Sequence, residues 1–150
     1  MISLSRAVIQ PGALLERFSA HRTRVGAIAS FTGLVRDEGG EAQALELEAY
    51  EGFTQARIAE IATAAIARFG LEDLIVVHRI GRVEVGETVV FVACAAAHRR
   101  AAIEACDHLM DYLKSRAPFW KKSHGPHGAR WIEPTAQDMA DAQRWDQDSQ

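Results

Sequence analysis

The chain has 150 residues, of which 48% are apolar and 25% are charged, and its formal net charge is −3. This size and composition predict a single globular domain over residues 1–150 and exclude a disordered chain. The acidic balance disfavours nonspecific nucleic-acid binding, the longest apolar run is too short to span a membrane, and two cysteines are too few for a disulfide framework.

The first third of the sequence predicts short elements separated by turns. Residues 11–20 open with Pro11 and predict a short helix. The segment Val25–Val35 is rich in small and β-branched residues and predicts a strand, which a mobile polar loop with paired glycines follows over residues 36–41. Apolar and polar residues alternate over Ala44–Tyr50, as they do in a half-buried strand.

The centre of the sequence predicts a long helix and two strands. Apolar residues recur at helical spacing over Phe53–Phe69, and Gly70 is suited to end that helix. The segment Leu74–Val85 predicts a strand that breaks near Gly81. The uniformly apolar segment Val89–Ala95 predicts a central strand covered on both faces.

The last third predicts a second long helix over Ala97–Arg116, which Pro118 stops. Strand-like pieces over Trp120–Glu133 surround a turn at residues 125–128, and a C-terminal helix with an acidic tail follows over residues 136–150. This order of elements predicts an α+β fold in which two long helices pack on a mainly antiparallel sheet.

The N-terminal residues and the number of cysteines indicate a cellular compartment. The first six residues lack the charged and apolar pattern of a secretory signal. A chain with so few cysteines is suited to a reducing environment. We therefore expect a cytoplasmic protein that binds neither nucleic acid nor a membrane.

The start of the second long helix offers a candidate anion site. On a helical wheel, Arg99 falls in the apolar stripe that includes Ile103 and Leu109. A charge there is unfavourable unless it reaches solvent or meets an anion, and a helix N-terminus attracts anions. His98 and Arg99 therefore predict a phosphate site, and the ordinary alternative is a solvated His98 beside an Arg99 that extends to water.

Two lysines at the other end of this helix are the candidate catalytic groups. Lys114 lies at the edge of the apolar stripe, where a surface ion pair with Asp111 or Asp107 is the ordinary alternative. Lys121 follows after the segment Pro118–Trp120, whose proline breaks the helix and whose aromatic rings favour burial. A lysine that is desolvated there and crowded by another cation has a lowered pKa, so its neutral amine can act as a base or nucleophile.

Other polar residues are weaker candidates for a functional site. Arg36 follows the Phe31–Gly33 segment at the mouth of the glycine loop, and a solvated loop arginine is the ordinary alternative. His124 and His127 flank a turn without a further ligand nearby, so we expect no metal site. The sequence contains no phosphate-binding glycine motif, no CxxC pair and no Ser-His-Asp signature, and it predicts no cofactor.

Four short motifs, taken together, are specific enough to indicate a protein family. They are HRIG at residues 78–81, AHR at 97–99, MDYLK at 110–114 and APFWK at 117–121, with FTG at 31–33 upstream and Trp131 downstream. Over about residues 25–133, the sequence resembles the large, catalytic subunit of molybdopterin synthase.

The resemblance implies an α/β-hammerhead fold and a sulfur-transfer reaction. The family's substrate is cyclic pyranopterin monophosphate, or precursor Z, which receives two sulfurs and becomes the dithiolene of molybdopterin. The sulfur arrives as a C-terminal thiocarboxylate on a small ubiquitin-like subunit that ends in Gly-Gly, and this tail enters a pocket of the large subunit. The implied assembly is a heterotetramer, in which a homodimer of large subunits carries one small subunit at each end.

By their positions in these motifs, Lys114 and Lys121 are implied to be catalytic. The resemblance also implies that the substrate is bound by Arg36, His98 and Arg99. The residues implied to line the pocket for the partner's tail are Phe31, Phe119, Trp120 and Lys122. An anionic phosphate needs cations, and sulfur transfer needs proton transfers in a positive environment, so these residue types suit the reaction.

The sequence departs from the family pattern at three places. Ser123 stands where many relatives have an acidic residue, and Ala96 stands where a small hydroxyl residue often precedes the helix, so we expect no side-chain cap there. Relatives also carry an arginine shortly after the tryptophan, which reaches into the neighbouring protomer's site. Residues 132–135 contain none, and Arg130 or Arg144 is the candidate replacement.

Two other functions are compatible with parts of the sequence. A non-catalytic dimeric module that binds an anionic metabolite would use His98 and Arg99, but it leaves the two lysines without a role. A cysteine-dependent sulfurtransferase would need Cys94 or Cys106 as the sulfur carrier. Both cysteines lie among apolar residues, where thiols are usually inert.

Overall fold

The chain folds into two four-stranded sheets and four helices, and the computed structural model describes residues 1–37, 39–40 and 42–147. In chain order the elements are β1 (Ile2–Ser5), α1 (Pro11–Ser19), β2 (Ala27–Leu34), β3 (Ala44–Glu48), α2 (Glu51–Phe69), β4 (Asp73–Arg79), β5 (Gly81–Glu84), β6 (Thr88–Ala96), α3 (Arg99–Ser115), β7 (Trp120–Gly125), β8 (Gly128–Ile132) and α4 (Ala136–Gln147). The predicted α+β class with two long helices is confirmed.

The first sheet has the strand order β1-β4-β6-β2 and forms the centre of the core. Its helices cover both faces: α2 and α3 pack on one side, against residues such as Val76 and Val92, and α1 packs Phe18 on the other side, near Phe91. Side chains on both faces of β6 are therefore buried, which confirms the prediction of a central strand covered on both faces. The strand β1, which pairs in parallel with β4, was not predicted.

The second sheet has the order β5-β3-β7-β8 and is antiparallel throughout. The run predicted as one broken strand over 74–85 is two strands in different sheets, because Gly81, with a φ of 78°, turns the chain from β4 into β5. Val35, Leu47 and Val83 form a small buried cluster in which Phe119 also packs. Val89 of β6 packs against the same cluster, which therefore joins the second sheet to the first.

The two long helices differ from their predicted bounds by one or two residues, α2 at its start and α3 (Arg99–Ser115) at both ends. Helix α2 begins two residues earlier than predicted and ends as predicted at Gly70, whose φ is 62°. Helix α3 begins at Arg99, without a side-chain cap, as expected from Ala96. The prediction that Arg99 and Ile103 lie in its apolar stripe is wrong, because the buried stripe is centred on Ala102, Ala105 and Leu109, which turns Ile103 outward.

The loop and the tail are described only in part. In the predicted mobile loop, residues 38 and 41 lie outside the described residues, and the Gly40 N–H donates a hydrogen bond to Asp37 Oδ1 at 2.7 Å. The C-terminal helix is present, as predicted, and residues 148–150 of the acidic tail lie outside the described residues.

Candidate active site

A cavity of about 460 Å³ lies where the two sheets meet the C-terminal half of α3. Both candidate lysines line it, Lys114 from α3 and Lys121 from β7. The rest of its wall is mostly apolar and comes from five elements: Phe31, Thr32, Gly33, Leu34, Leu45, Leu47, His78, Val89, Val90, Met110 and Leu113. The cavity therefore offers two amines in a largely apolar setting.

Glycine at position 33 keeps part of this cavity open. A Cβ at Gly33 would lie 2.7 Å from Val90 Cγ1 and 3.1 Å from the ring of Phe31. Any larger residue would therefore push these two wall residues aside. The Phe31 ring itself is partly exposed at the mouth of the cavity.

Lys121 is the more strongly perturbed of the two lysines. Strand β7 pairs Lys121 with Leu47 of β3, and the preceding Pro118 carbonyl accepts a hydrogen bond from the fully buried Thr54 hydroxyl at 3.1 Å. Burial lowers the pKa of Lys121, and the positive charge of Lys114 lowers it further, while Asp138 opposes both effects. The expected combination of desolvation and a neighbouring cation is confirmed for this lysine.

Lys114 is more accessible, with 56% of its side chain exposed. Its Nζ lies 3.2 Å from Asp138 Oδ1 of α4. The predicted alternative, an ion pair with Asp107 or Asp111, is not the pair that forms, since both of those carboxylates bind Arg144. Lys114 therefore meets a carboxylate from a different helix at the cavity wall.

His78 is a wall residue to which sequence reasoning assigned no role. It is almost fully buried, its ring stacks on Phe119 at a centroid distance of 4.1 Å, and its Nδ1 lies 2.8 Å from the carbonyl oxygen of Arg79. Burial lowers its pKa to about 4, and Lys121 adds to that shift. His78 is thus a neutral ring beside the lysines at neutral pH. Its place in the HRIG motif was the only sequence signal.

His98 and Arg99 lie at the opposite end of α3, exposed to solvent. They line a separate surface cavity of about 500 Å³ together with Arg100, Ile103 and Glu104. Lys114 follows Arg99 by fifteen positions on this helix, which corresponds to about 22 Å along the axis. One copy of the chain therefore does not bring the candidate phosphate site and the two lysines into one cavity.

The remaining candidate residues are distributed around the site. Phe31 lines the lysine cavity, and Phe119 packs behind it against His78. Trp120 and Lys122 alternate with Lys121 along β7 and lie outside this cavity: Trp120 meets Tyr50 edge to face, and Lys122 Nζ lies 4.4 Å from the ring centre of Trp131.

The structure places three further residues that the family resemblance singled out. Arg36 is exposed after β2 and does not line the lysine cavity. Ser123 is buried in β7. Arg144, one candidate for the missing cross-protomer arginine, binds Asp107 and Asp111 of its own chain.

Both cysteines are buried and free. A thiol hydrogen bond with Cys106, together with burial, raises the pKa of Cys94. Neither cysteine lines the lysine cavity. This placement disfavours the cysteine-dependent sulfurtransferase among the alternative functions.

Within the described ranges, no group of three or more His, Cys, Asp or Glu side chains could hold a metal ion. Over the same residues, no helix combines the length and the apolar character that crossing a bilayer requires. The two amines at the cavity can act differently: the half-buried Lys121, whose pKa is lowered, can exchange a proton, and Lys114 can stabilise an anion.

Comparisons with known proteins agree on one family. The family model described as "MoaE protein" matches residues 4–116. The molybdopterin synthase catalytic subunit of Caulobacter vibrioides is 61% identical over 149 residues, which cover 99% of both chains.

Two solved structures extend the similarity to the fold. The molybdopterin biosynthesis MoaE protein from Burkholderia ambifaria matches with a TM-score of 0.83 at 38% identity, over 97% of each chain. A structure described as a complex of subunits 1 and 2 of molybdopterin-converting factor from Helicobacter pylori matches with a TM-score of 0.74, over 91% of each chain. At 22% identity, this second match supports the fold alone.

Proposed function

The chain belongs to the MoaE family of molybdopterin synthase catalytic subunits, and from that premise we propose that it transfers two sulfurs to precursor Z at the lysine cavity. It is thus a sulfurtransferase-type enzyme of molybdenum cofactor biosynthesis. The observation that carries the proposal is the convergence of Lys114 and Lys121 on one mostly apolar cavity, with the pKa of Lys121 lowered.

The two lysines have different tasks in this proposal. Lys121 is half-buried and its amine loses its proton more readily, so it is the group that exchanges protons with the substrate during sulfur addition. Lys114 is half-exposed and paired with Asp138, and its amine is the group that stabilises the anionic intermediates. Both buried thiols stay outside the reaction, because the sulfur comes from the partner's thiocarboxylate.

The partner is a small subunit whose extended C-terminal tail enters the cavity between the two sheets. A protein of this fold, that of Helicobacter pylori, is described as a protein–protein complex of two subunits. The apolar wall around Phe31 and Gly33 suits a narrow tail that ends in Gly-Gly, since glycines let a backbone approach closely. Phe119 supports this wall from behind, and Trp120 and Lys122 form the adjoining surface.

The substrate's phosphate binds Arg36, His98 and Arg99. Because Arg99 lies about 22 Å along α3 from Lys114 in one copy, we propose that the N-terminal end of α3 serves the cavity of a second copy in a homodimer. The exposed Ile103 beside Arg99 supports an interface at this end, since 58% of this large apolar side chain is accessible. The full assembly is then the heterotetramer of two large and two small subunits, in the cytoplasm.

The direct test is conversion of precursor Z by the purified chain with a thiocarboxylated small subunit. We expect molybdopterin, identified by mass spectrometry, and we expect none with a small subunit that ends in a plain carboxylate or lacks its last two glycines. The Caulobacter vibrioides relative, at 61% identity, is the matched positive control. Product from the relative but none from this chain would overturn the proposal.

A further inference from the structure

Helix α4 brings a carboxylate to the candidate active site from outside the cavity wall. Asp138 lies in the first turn of α4, and its Oδ1 is 3.2 Å from Lys114 Nζ. Its other oxygen, Oδ2, accepts hydrogen bonds from the Thr135 backbone N–H at 2.9 Å and from the Thr135 hydroxyl at 2.7 Å. The Asp138 N–H in turn donates to the Thr135 hydroxyl at 3.1 Å.

These reciprocal bonds form a capping box, which fixes both the start of α4 and the carboxylate within it. One oxygen of Asp138 is used by the cap, so the other is held in place toward Lys114. Only 19% of the Asp138 side chain is exposed. This is a more ordered arrangement than an ion pair between two freely moving surface side chains.

The other end of α4 is bound to the same helix that carries Lys114. Arg144 binds Asp107 and Asp111 of α3 at 2.7 and 2.6 Å, and Trp145 Nε1 donates to Asp111 at 2.7 Å. A further ion pair joins Asp146 to Arg116, just after α3. The packing of α4 along α3 therefore sets the distance between Asp138 and Lys114.

We propose that Asp138 is a positioning residue, which holds the Lys114 ammonium at the cavity wall and balances its charge next to Lys121. This inference rests on the proposed catalytic roles of the two lysines. It assigns to α4 a part in the reaction, although no described residue of α4 lines the lysine cavity.

The electrostatics of the site agree with this geometry. Burial alone would raise the pKa of Asp138, but the hydrogen bonds from Thr135 and Lys114 lower it below its usual range, so Asp138 is ionised near neutral pH. The charged groups that act on Lys121 are Lys114 on α3 and Asp138 on α4, while His78 on β4 is neutral there. Loss of the Asp138 charge should therefore lower the pKa of Lys121 and leave Lys114 without its counterion.

The test compares Asp138→Asn with Asp141→Asn. Asparagine can still accept the bonds from Thr135, so the cap and the helix are retained. Asp141 is the matched control because it lies on the same helix and loses the same charge, but its carboxylate accepts a bond from Gln137 and does not reach Lys114. Melting temperatures of the two variants should agree closely.

The first measurement does not depend on sulfur transfer. The rate of Lys114 acetylation by acetic anhydride is followed against pH by peptide mass spectrometry. In Asp138→Asn we expect the midpoint of this rate–pH curve to move to lower pH, because the ammonium has lost its counterion. The curve of Asp141→Asn should match that of the parent.

The second measurement is turnover of precursor Z with the thiocarboxylated partner. We expect Asp138→Asn to lower kcat by about tenfold to a hundredfold, as a small misplacement of a catalytic group can, with a smaller change in KM. The acid limb of its kcat profile should move to lower pH, because Lys121 then loses its proton more readily. A merely structural role for Asp138 would leave this limb in place.

Each result decides a separate point. Equal labelling and equal turnover in the two variants would overturn the inference, and so would shifted labelling with an unchanged kcat. A parent chain that does not turn over precursor Z would overturn the proposed function and with it the positioning role. In that case the labelling would still report on the ion pair itself.

Discussion

The two ends of α3 carry the same kind of residue in opposite surroundings. At the C-terminal end, Lys114 joins Lys121 in a cavity that is lined by α3 and by residues from five strands. At the N-terminal end, His98 and Arg99 are exposed at a surface cavity whose described lining comes from the start of α3 alone. Both ends are cationic, but only one is enclosed by its own chain.

This difference in exposure determines whether a basic side chain of one copy can exchange protons or bind an anion. An enclosed amine is desolvated, so its pKa falls and it can exchange protons, as burial does for Lys121. An exposed cation remains charged and hydrated, and it can bind an anion strongly only when another surface excludes water from it. In the proposed function, the C-terminal end of α3 therefore takes part in the chemistry, and the N-terminal end binds the phosphate once a second surface covers it.

The largest expected effect comes from removing the enclosed amine. Lys121→Ala should lower kcat by about 10²- to 10⁴-fold, because it removes the group that we propose exchanges protons with the substrate. Lys122→Ala should lose much less, since that side chain lies over Trp131 and not in the cavity. Steady-state kinetics with precursor Z and the thiocarboxylated partner measure the loss of kcat in both variants. Equal losses would show that the two faces of β7 do not differ in function.

At the exposed end, Arg99→Ala should weaken substrate binding by about 1.5–3 kcal/mol, the usual range for charge-assisted hydrogen bonds. Calorimetric titration with precursor Z measures this loss. An unchanged affinity would return Arg99 to the role of a solvated surface residue.

Mixed dimers sharpen the comparison between the two ends. A copy with Lys121→Ala and a copy with Arg99→Ala should together regain activity, because one site then combines an intact Lys121 with an intact Arg99 from the other copy. Each variant alone is the control. If mixing restores no activity, no active site combines Lys121 of one copy with Arg99 of the other copy.

A smaller effect should come from the buried stripe between the two ends. His108 is buried among Phe69, Tyr112 and Trp145, and burial, with Arg68 next, lowers its pKa to about 4. The unfolded chain takes up a proton near pH 6.5 and the folded chain only near pH 4, so stability falls as the pH drops through this window.

Urea unfolding should therefore show a loss of about 2 kcal/mol between pH 7 and pH 5 from His108, and His78 should add a similar amount. His108→Phe should remove its share of the slope and leave that of His78. An unchanged slope in this variant would show that His108 is not buried in its neutral form.

The smallest expected effect is that of the two thiols. A Cys94→Ala, Cys106→Ala double variant should lose about 1–2 kcal/mol of stability through small cavities. It should convert precursor Z at a rate close to that of the parent, since neither thiol reaches the lysine cavity. Loss of activity in a folded double variant would return the cysteine-dependent mechanism to consideration.

Much of the fold could be predicted because its signals are local. The apolar run of β6, the helical spacing before Gly70 and the proline after α3 each act within about one element. Strand β1 was missed because four residues carry too little alternation, and its parallel pairing with β4 joins segments more than 70 residues apart. The division into two sheets was missed for a similar reason, since it depends on the turn at Gly81 and on pairing across the chain.

The candidate site was predictable by motif but not by geometry. The two lysines, their crowding and the role of the segment before Lys121 were visible in the residue types and spacing. The enclosure of Lys121, the His78 ring stacked on Phe119 and the separation of Arg99 from the lysines were not. Each depends on contacts between elements that are far apart in sequence.

The sequence by itself thus determined the α+β class, the family and the two lysines, because periodicity and short motifs are written in neighbouring residues. The tertiary structure alone decided which lysine is the less exposed, which carboxylate meets Lys114 and which basic residues lie outside the cavity. Those outcomes depend on desolvation and on distances between side chains. Both quantities exist only once the sheets and α4 have packed around α3.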